Sequence, residues 1–177
     1  MGYHRYYAHR MYSIPLWLEY FFLFWATTAL VGKASAWVAQ HKQHHAYVDT
    51  EKDPHSMKHK GFFYSYLLQF RSPINKKFLI FDSAVKWQHR WYWTLLLSYI
   101  IIVSVFGVFL EAWLYPMVAV HLIGGLVYSY SHRQGKPHDD FWLGVVTCGE
   151  GFHETHHTSS AVRWNKFDLG GWLIEKI

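Results

Sequence analysis

The chain has 177 residues, enough for one domain and little more, with 51% apolar and 20% aromatic residues and 14 histidines. Lys and Arg number 17 against 12 acids, a formal charge of +5. The cations flank long apolar runs, as at a membrane surface facing anionic lipid, and no basic face with nucleic-acid motifs is legible, which excludes nucleic acid as a partner. Cys148 is the only cysteine, so an intrachain disulfide is excluded and nothing suggests a secreted, stapled fold.

The first ten residues are polar, show no cleavable signal and contain His4-Arg-Tyr-Tyr-Ala-His9. An i, i+5 pair lies about 140° apart on an ideal α-helix, so this histidine pair is the least tidy of the clusters. An apolar stretch follows at residues 14–32, interrupted by Pro15 and Glu19. Next comes His41-Lys-Gln-His44-His45, whose i, i+3 and i+4 positions share one helix face. Residues 46–92 hold eight cations: Lys52, Lys58, Lys60, Arg71, Lys76, Lys77, Lys86 and Arg90. Residues 93–110 carry no charge, and residues 112–131 are apolar apart from Pro116 and His121.

A hydrocarbon core of about 30 Å needs roughly 20 apolar residues as a helix, so both of these stretches are long enough. Both are apolar on every face, which argues against buried helices of a soluble protein. With almost no connection between them, around Glu111 and Ala112, they read as a tight transmembrane hairpin. The turn between them has no cation, so the positive-inside rule puts the basic loop in the cytoplasm. Beyond residue 131 the chain returns to that side with a lone His132 and then His153-Glu-Thr-His156-His157. His55, His59, His89, His121 and His138 read as surface or packing residues; His121, inside an apolar helix, needs a partner or a cavity.

Two passes separate the second and third histidine clusters, so these emerge on one side. The first and second are separated only by residues 14–32. A full crossing there would strand His4 and His9 about 30 Å from the others. A shared metal centre therefore requires an interfacial or re-entrant helix at 14–32. The predicted fold is all-α and integral to the membrane. It comprises a transmembrane hairpin (about 93–110 and 112–131), an interfacial helix (about 14–32) and a cytoplasmic histidine-rich helical cap, within a single domain spanning residues 1–177. Neutral imidazole suits iron, zinc, copper and nickel, and nine clustered histidines exceed what one zinc takes but match two higher-coordinate ions. Asp49, Asp53 and Glu150 are candidates to hold the second nitrogen of ligand rings.

The segments GYHRYYAHR, AWVAQHKQHHAYVDTEKDPHSMKHKGFF, GEGFHETHHT and RWNKFDL resemble the membrane fatty acyl desaturases, especially the stearoyl-CoA desaturase type. The resemblance covers nearly the whole chain. It implies two non-haem irons held by His4, His9, His41, His44, His45, His132, His153, His156 and His157. It also implies O2-dependent insertion of a cis double bond into a fatty acyl chain carried by CoA, acyl carrier protein or lipid. Electrons would come from a separate donor such as a b-type cytochrome or ferredoxin. Trp37 matches an aromatic near the acyl tunnel of relatives, and Lys42, Lys58 and Lys60 match basic residues near the acyl carrier's phosphates. The sequence departs from the pattern at Tyr128, where relatives have an asparagine reaching one iron through water. Relatives also carry a transmembrane hairpin ahead of the first box, whereas Met1 lies three residues before His4. The expectation is a chain truncated at its start. A shortened loop between His157 and Trp164 is a further departure, and the chain stops within an apolar helix after Phe167.

Other readings use the same residues. A histidine-box hydroxylase or ketolase shares the ligands and diverges only after the first hydrogen is removed. His153-Glu154-Thr155-His156-His157 contains the H-E-x-x-H of zinc peptidases, with Glu154 as general base, but that leaves the other boxes unexplained. A metal-handling membrane protein would bind metal without O2-dependent turnover.

Overall fold

Pro15 sets where the first long helix begins, since its locked φ and missing N–H suit the start of a helix and no interior position. In the computed structural model, which describes residues 1–68 and 72–177, helix α1 runs from Leu16 to Thr28 and α2 from Ala34 to Ala46. They are followed by α3 (Met57–Lys60), α4 (Ser83–Val105), α5 (Tyr115–Tyr130), α6 (Phe141–Val146), α7 (His153–Thr158) and α8 (Leu169–Ile174). π-helical turns occupy Gly2–Ala8, Tyr64–Leu68 and Leu110–Leu114. Among the described residues there is no strand, only an isolated bridge between Asp139 and Phe152. Arg71, one of the eight loop cations, lies outside the described residues.

The chain divides into two units, Met1–Lys42 with Pro73–His121, and Gln43–Ser72 with Leu122–Ile177. In the first, α1 packs along α4 over a core of Tyr3, Tyr6, Tyr7, Leu23, Ala34, Val38, Ala84 and Val85. A fully buried Gln88 ties this core together. Its Oε1 accepts from the Ala34 backbone N–H at 2.9 Å, closing the start of α2. Its Nε2 donates to Thr27 Oγ1 at 2.9 Å and to the Tyr3 hydroxyl, one residue before His4. With 13 residues α1 is about 20 Å long, short of a hydrocarbon core of about 30 Å. Its final carbonyls are closed by side chains: Trp113 Nε1 donates to Thr28 O at 2.8 Å, and His121 Nε2 to Ala29 O at 3.1 Å. His121 thus has the partner that an imidazole in an apolar helix requires.

The two long apolar helices differ from expectation in their bounds. α4 starts at Ser83, ten residues before the uncharged stretch, because Ala84, Val85 and Gln88 face the core while Lys86, His89 and Arg90 are exposed. It ends at Val105, and the turn lies at residues 106–109 instead of Glu111–Ala112. Gly107, at φ +72°, closes the helix: Val108 N–H reaches Val103 O at 2.9 Å and Gly107 N–H reaches Ser104 O at 3.0 Å, a Schellman pairing. The helical stretch Leu110–Tyr130 is long and apolar enough to cross a membrane. Pro116 has no N–H to offer the Ala112 carbonyl four residues earlier, and the Tyr99 hydroxyl donates to that carbonyl at 2.9 Å.

The second unit is built around the turn between α2 and α3. Ser65 Oγ donates to His55 O at 2.6 Å and Ser72 Oγ to Pro54 O at 2.6 Å, pinning the Asp53-Pro54-His55 segment. Replacing Gln88 with Leu keeps the volume but strips the Ala34 N–H of its acceptor and the Thr27 oxygen of a donor. The expected loss is about 1–3 kcal/mol, read as a lower thermal unfolding midpoint in detergent; an unchanged midpoint would contradict the role given to Gln88.

Candidate metal centre

Helix α2 carries His41 into the first unit and His44 and His45 into the second. In the first unit the problem posed by the i, i+5 pair is solved by a change of winding. Residues 2–8 form a π-helix, in which the His9 N–H bonds to His4 O at 3.1 Å and the Tyr6 N–H to Met1 O at 3.0 Å. Five-residue spacing then stacks side chains on one face, and the His4 and His9 rings stand 4.9 Å apart. The His41 ring lies 4.5 Å from His4 and 5.0 Å from His9. His9 Nε2 and His41 Nε2 are 2.8 Å apart, close enough to share a proton or, with both lone pairs free, a cation. One turn earlier on α2, Trp37 stacks on His41 at 5.0 Å with 15° between planes and meets His4 edge-on at 6.1 Å.

In the second unit, ring nitrogens of His44, His132, His153 and His157 all lie within 4.8 Å of one another. His44 Nε2 is 3.2 Å from His157 Nε2, which is 3.2 Å from His153 Nε2. His153 and His157 stand one turn apart on α7, so the helix period alone aims them together. His45 Nε2 and His156 Nε2 form a second pair at 2.9 Å. Trp164 packs over the His156 ring at 4.4 Å.

Two carboxylates decide which nitrogen of each ring faces the cluster. His44 Nδ1 donates to both oxygens of Asp53 at 2.9 Å, and His132 Nδ1 donates to Asp49 Oδ2 at 2.7 Å. Burial pushes the Asp53 carboxyl upward, while the backbone N–H groups of His55 and Asp49, each at 2.8 Å, pull it back down. Asp49 sits at φ +54°, a left-handed conformation that Asp tolerates better than most residues. With its Nδ1 proton committed, His132 presents a buried Nε2 that finds no hydrogen-bond partner. That lone pair lies among the rings of His44 and His153, at 4.8 and 4.9 Å. A buried acceptor without a donor is costly, and the imidazole nitrogens that converge around it form a donor set suited to a first-row transition metal.

Of the expected supporting acids, Asp53 holds the His44 ring and Asp49 the His132 ring, and Glu150 is half-buried. His55 departs from the surface reading: it is buried 5.6 Å from His44 and 4.7 Å from the Tyr128 ring. Desolvation first, and then the neighbouring His44, push its imidazole down to about 3. His55 is therefore neutral at physiological pH. Tyr128 is buried with its ring 6.4 Å from His44. Lys42 is half-buried in the first unit, its ammonium held below the usual lysine range by burial and then by Arg10, with Asp82 opposing. In the second unit Lys58 is exposed, and Lys60 is half-buried with Nζ 5.1 Å from the Tyr64 ring. Trp164 was not singled out from sequence. The only signal for it was its place in the RWNKFDL segment, where Asp168 accepts its backbone N–H at 3.0 Å. Glu154 is exposed while its neighbour His153 is buried.

The fatty acid desaturase family profile matches residues 1–175. The chain belongs to this family. It is 30% identical to Delta-9 acyl-lipid desaturase 2 of Arabidopsis thaliana, over 98% of this chain and 65% of that one. It is 31% identical to the sn-2 palmitoyl-lipid 9-desaturase of Nostoc sp. (strain 36), over 99% of this chain and 71% of the relative. It is also 32% identical to the sn-1 stearoyl-lipid 9-desaturase of Anabaena variabilis, over 99% and 73%. The chain thus spans about two thirds of the length of the relatives it matches.

An Asp53→Asn variant keeps the shape of the turn but exchanges an anionic acceptor for an amide, weakening the hold on His44 Nδ1–H. A fall of about 10–100-fold in metal affinity is expected, measured by cobalt(II) competition titration. Affinity equal to that of the unaltered protein would remove Asp53 from this role.

Proposed function

We propose that this desaturase-family protein is an O2-dependent fatty acyl desaturase, introducing a cis double bond into a saturated acyl chain at a two-iron centre. The observation carrying the reading is the convergence of His44, His132, His153 and His157, with the His44 and His132 tautomers set by Asp53 and Asp49. These four would hold one iron. His4, His9 and His41 of the first unit and His45 and His156 of the second complete the nine histidines expected to serve the two irons. His41 and His45 stand one turn apart on α2, and His44 precedes His45 directly, so this one helix supplies three of the nine histidines.

When bound, the iron pair supplies activation of O2, using electrons from an external donor such as a b-type cytochrome or ferredoxin. The protein's own residues perform the rest. Asp49 and Asp53 keep the ring protons on Nδ1 and so leave Nε2 of His132 and His44 available as donors. Trp37, stacked on His41, offers an apolar wall beside that ligand for the methylene pair that loses hydrogen. Lys42, Lys58 and Lys60 would attract the anionic headgroup or carrier of the acyl chain. The acyl-lipid and 9-desaturase names of the relatives favour a lipid-linked substrate desaturated at the ninth carbon.

The membrane arrangement follows the same reading. The apolar part of α4 and the helix Leu110–Tyr130 would cross as a hairpin, with α1 interfacial or re-entrant and the histidines on the cytoplasmic side. The cations of residues 46–92 support that orientation. The exposed Trp93, Leu97, Ile101 and Val105 of α4 would face lipid tails.

Purified protein should contain about two irons, and changing His44, His132, His153 or His157 to Ala should lower that content. Expression in a desaturase-deficient host, of this chain and of a version extended upstream, should yield monounsaturated fatty acids. Hydroxy or keto acids in the profile would instead assign the related oxygen-inserting chemistry. Glu154→Ala should retain both iron and desaturation; unaltered iron in all four histidine variants would overturn the proposal.

A further inference from the structure

Helices α6 and α8 of the second unit wear their apolar side chains on the outside. In α6, Phe141, Trp142, Val145 and Val146 are exposed, Trp142 by 74% and Val146 by 67%, while Gly144 is buried. In α8, Leu169, Trp172 and Leu173 are exposed while Gly170, Gly171 and Ile174 are buried. Each helix therefore turns its buried glycines inward and most of its large apolar side chains outward, the reverse of a helix on a water-soluble surface.

The interior leaves no alternative. A Cβ on Gly144 would come 2.5 Å from Phe152 Cζ, and one on Gly171 would come 2.7 Å from Arg163 Cα. Large side chains cannot exchange places with these glycines, so the outward display is built into the packing. The two helices are also fixed to each other: Phe141 meets Phe167 edge-on at 5.2 Å, and the Gly170 N–H bonds to Cys148 O at 2.9 Å. With Phe167 exposed between them, the two helices show seven large apolar side chains to the outside, more than soluble monomers usually leave bare.

We propose that α6 and α8 form a platform that dips into the bilayer interface, holding the histidine-bearing second unit against the membrane. Three observations select lipid over a protein partner. First, only ten residues separate the end of α5 at Tyr130 from Phe141, a reach of at most about 36 Å. The patch is thus tethered to the helix Leu110–Tyr130, which is apolar enough to cross a membrane. Second, two of the exposed residues are tryptophans, whose amphipathic rings settle at the headgroup level. Third, the acids nearby are engaged: Asp140 with the Leu143 N–H, Asp139 with Thr155, and Glu175 with Arg163. Lys166, its Nζ 5.1 Å from the Phe167 ring, and Lys176 are left exposed to meet anionic headgroups. The inference rests on the membrane reading of Leu110–Tyr130 and not on the iron chemistry.

The test is spin-label accessibility in the full, iron-loaded chain, reconstituted in nanodiscs of phosphatidylcholine and phosphatidylglycerol. Cys148, exposed at φ +55°, is first replaced by Gly, which suits that backbone. Single cysteines then carry labels at Trp142→Cys on α6, Leu173→Cys on α8, Val118→Cys in the apolar helix and Ser160→Cys on an exposed loop. Labels at 142 and 173 should collide with O2 several-fold more often than with a water-soluble nickel chelate, as at 118 and opposite to 160. Labels at 142 and 173 that behave like 160, or that are shielded from both reagents by protein, overturn the platform. If the label at 118 also behaves like 160, the membrane reading itself has failed, and the two failures are thereby told apart.

Discussion

Each imidazole offers two nitrogens, and only one of them can face a metal. In the second unit that choice is made by Asp53 holding His44 Nδ1–H and Asp49 holding His132 Nδ1–H. The two acids come from one short turn, in which the Asp49 N–H donates to Asp53 and the His55 N–H donates to Asp53. A histidine from α2 and a histidine beyond α5, far apart in sequence, are thus oriented by a single five-residue loop. Ser65 and Ser72 fix the far side of the loop through the carbonyls of His55 and Pro54. Rigidity in the loop becomes geometry at the nitrogens.

In the first unit the same task is performed by packing. The rings of His4, His9 and His41 are set by a π-helical turn, by stacking against Trp37, and by Gln88, which links Tyr3 to the first residue of α2. Tyr7 adds a bond to Glu19 Oε2 at 3.0 Å, giving the one acid of α1 a partner inside an otherwise apolar helix. The helix α2 belongs to both arrangements, and its period of about 3.6 residues allots His41 and His45 to one face and His44 to the next.

Much of this was legible beforehand. The three histidine clusters, the partners Asp49 and Asp53 and the all-helical class follow from composition, spacing and flanking residues. What escaped was set by tertiary context. The start of α4 at Ser83 was hidden because charged and buried residues alternate there on two faces, so a window of uncharged residues begins too late. Its end was marked by Gly107, a signal present in the sequence but masked by the apolar residues around it. A lone histidine carries no spacing, so His55 gives no sign of burial in the sequence; the folding of the Asp53-Pro54-His55 turn beside Tyr128 buries it. Trp164 lies eight residues after His156, too far for a local rule to pair them.

The π-helical turn at Gly2–Ala8 couples two properties that are usually independent, the interval between two histidines and the pitch of the backbone joining them. An interval of five residues works because the turn is wound wide. An interval of four would be served by ordinary α winding. Inserting or deleting one residue between His4 and His9 is therefore not a local change of length. It demands that the whole turn, with the buried Tyr6 and Tyr7 it carries, be rewound at the same time, so spacing and winding in this box are free to drift only together.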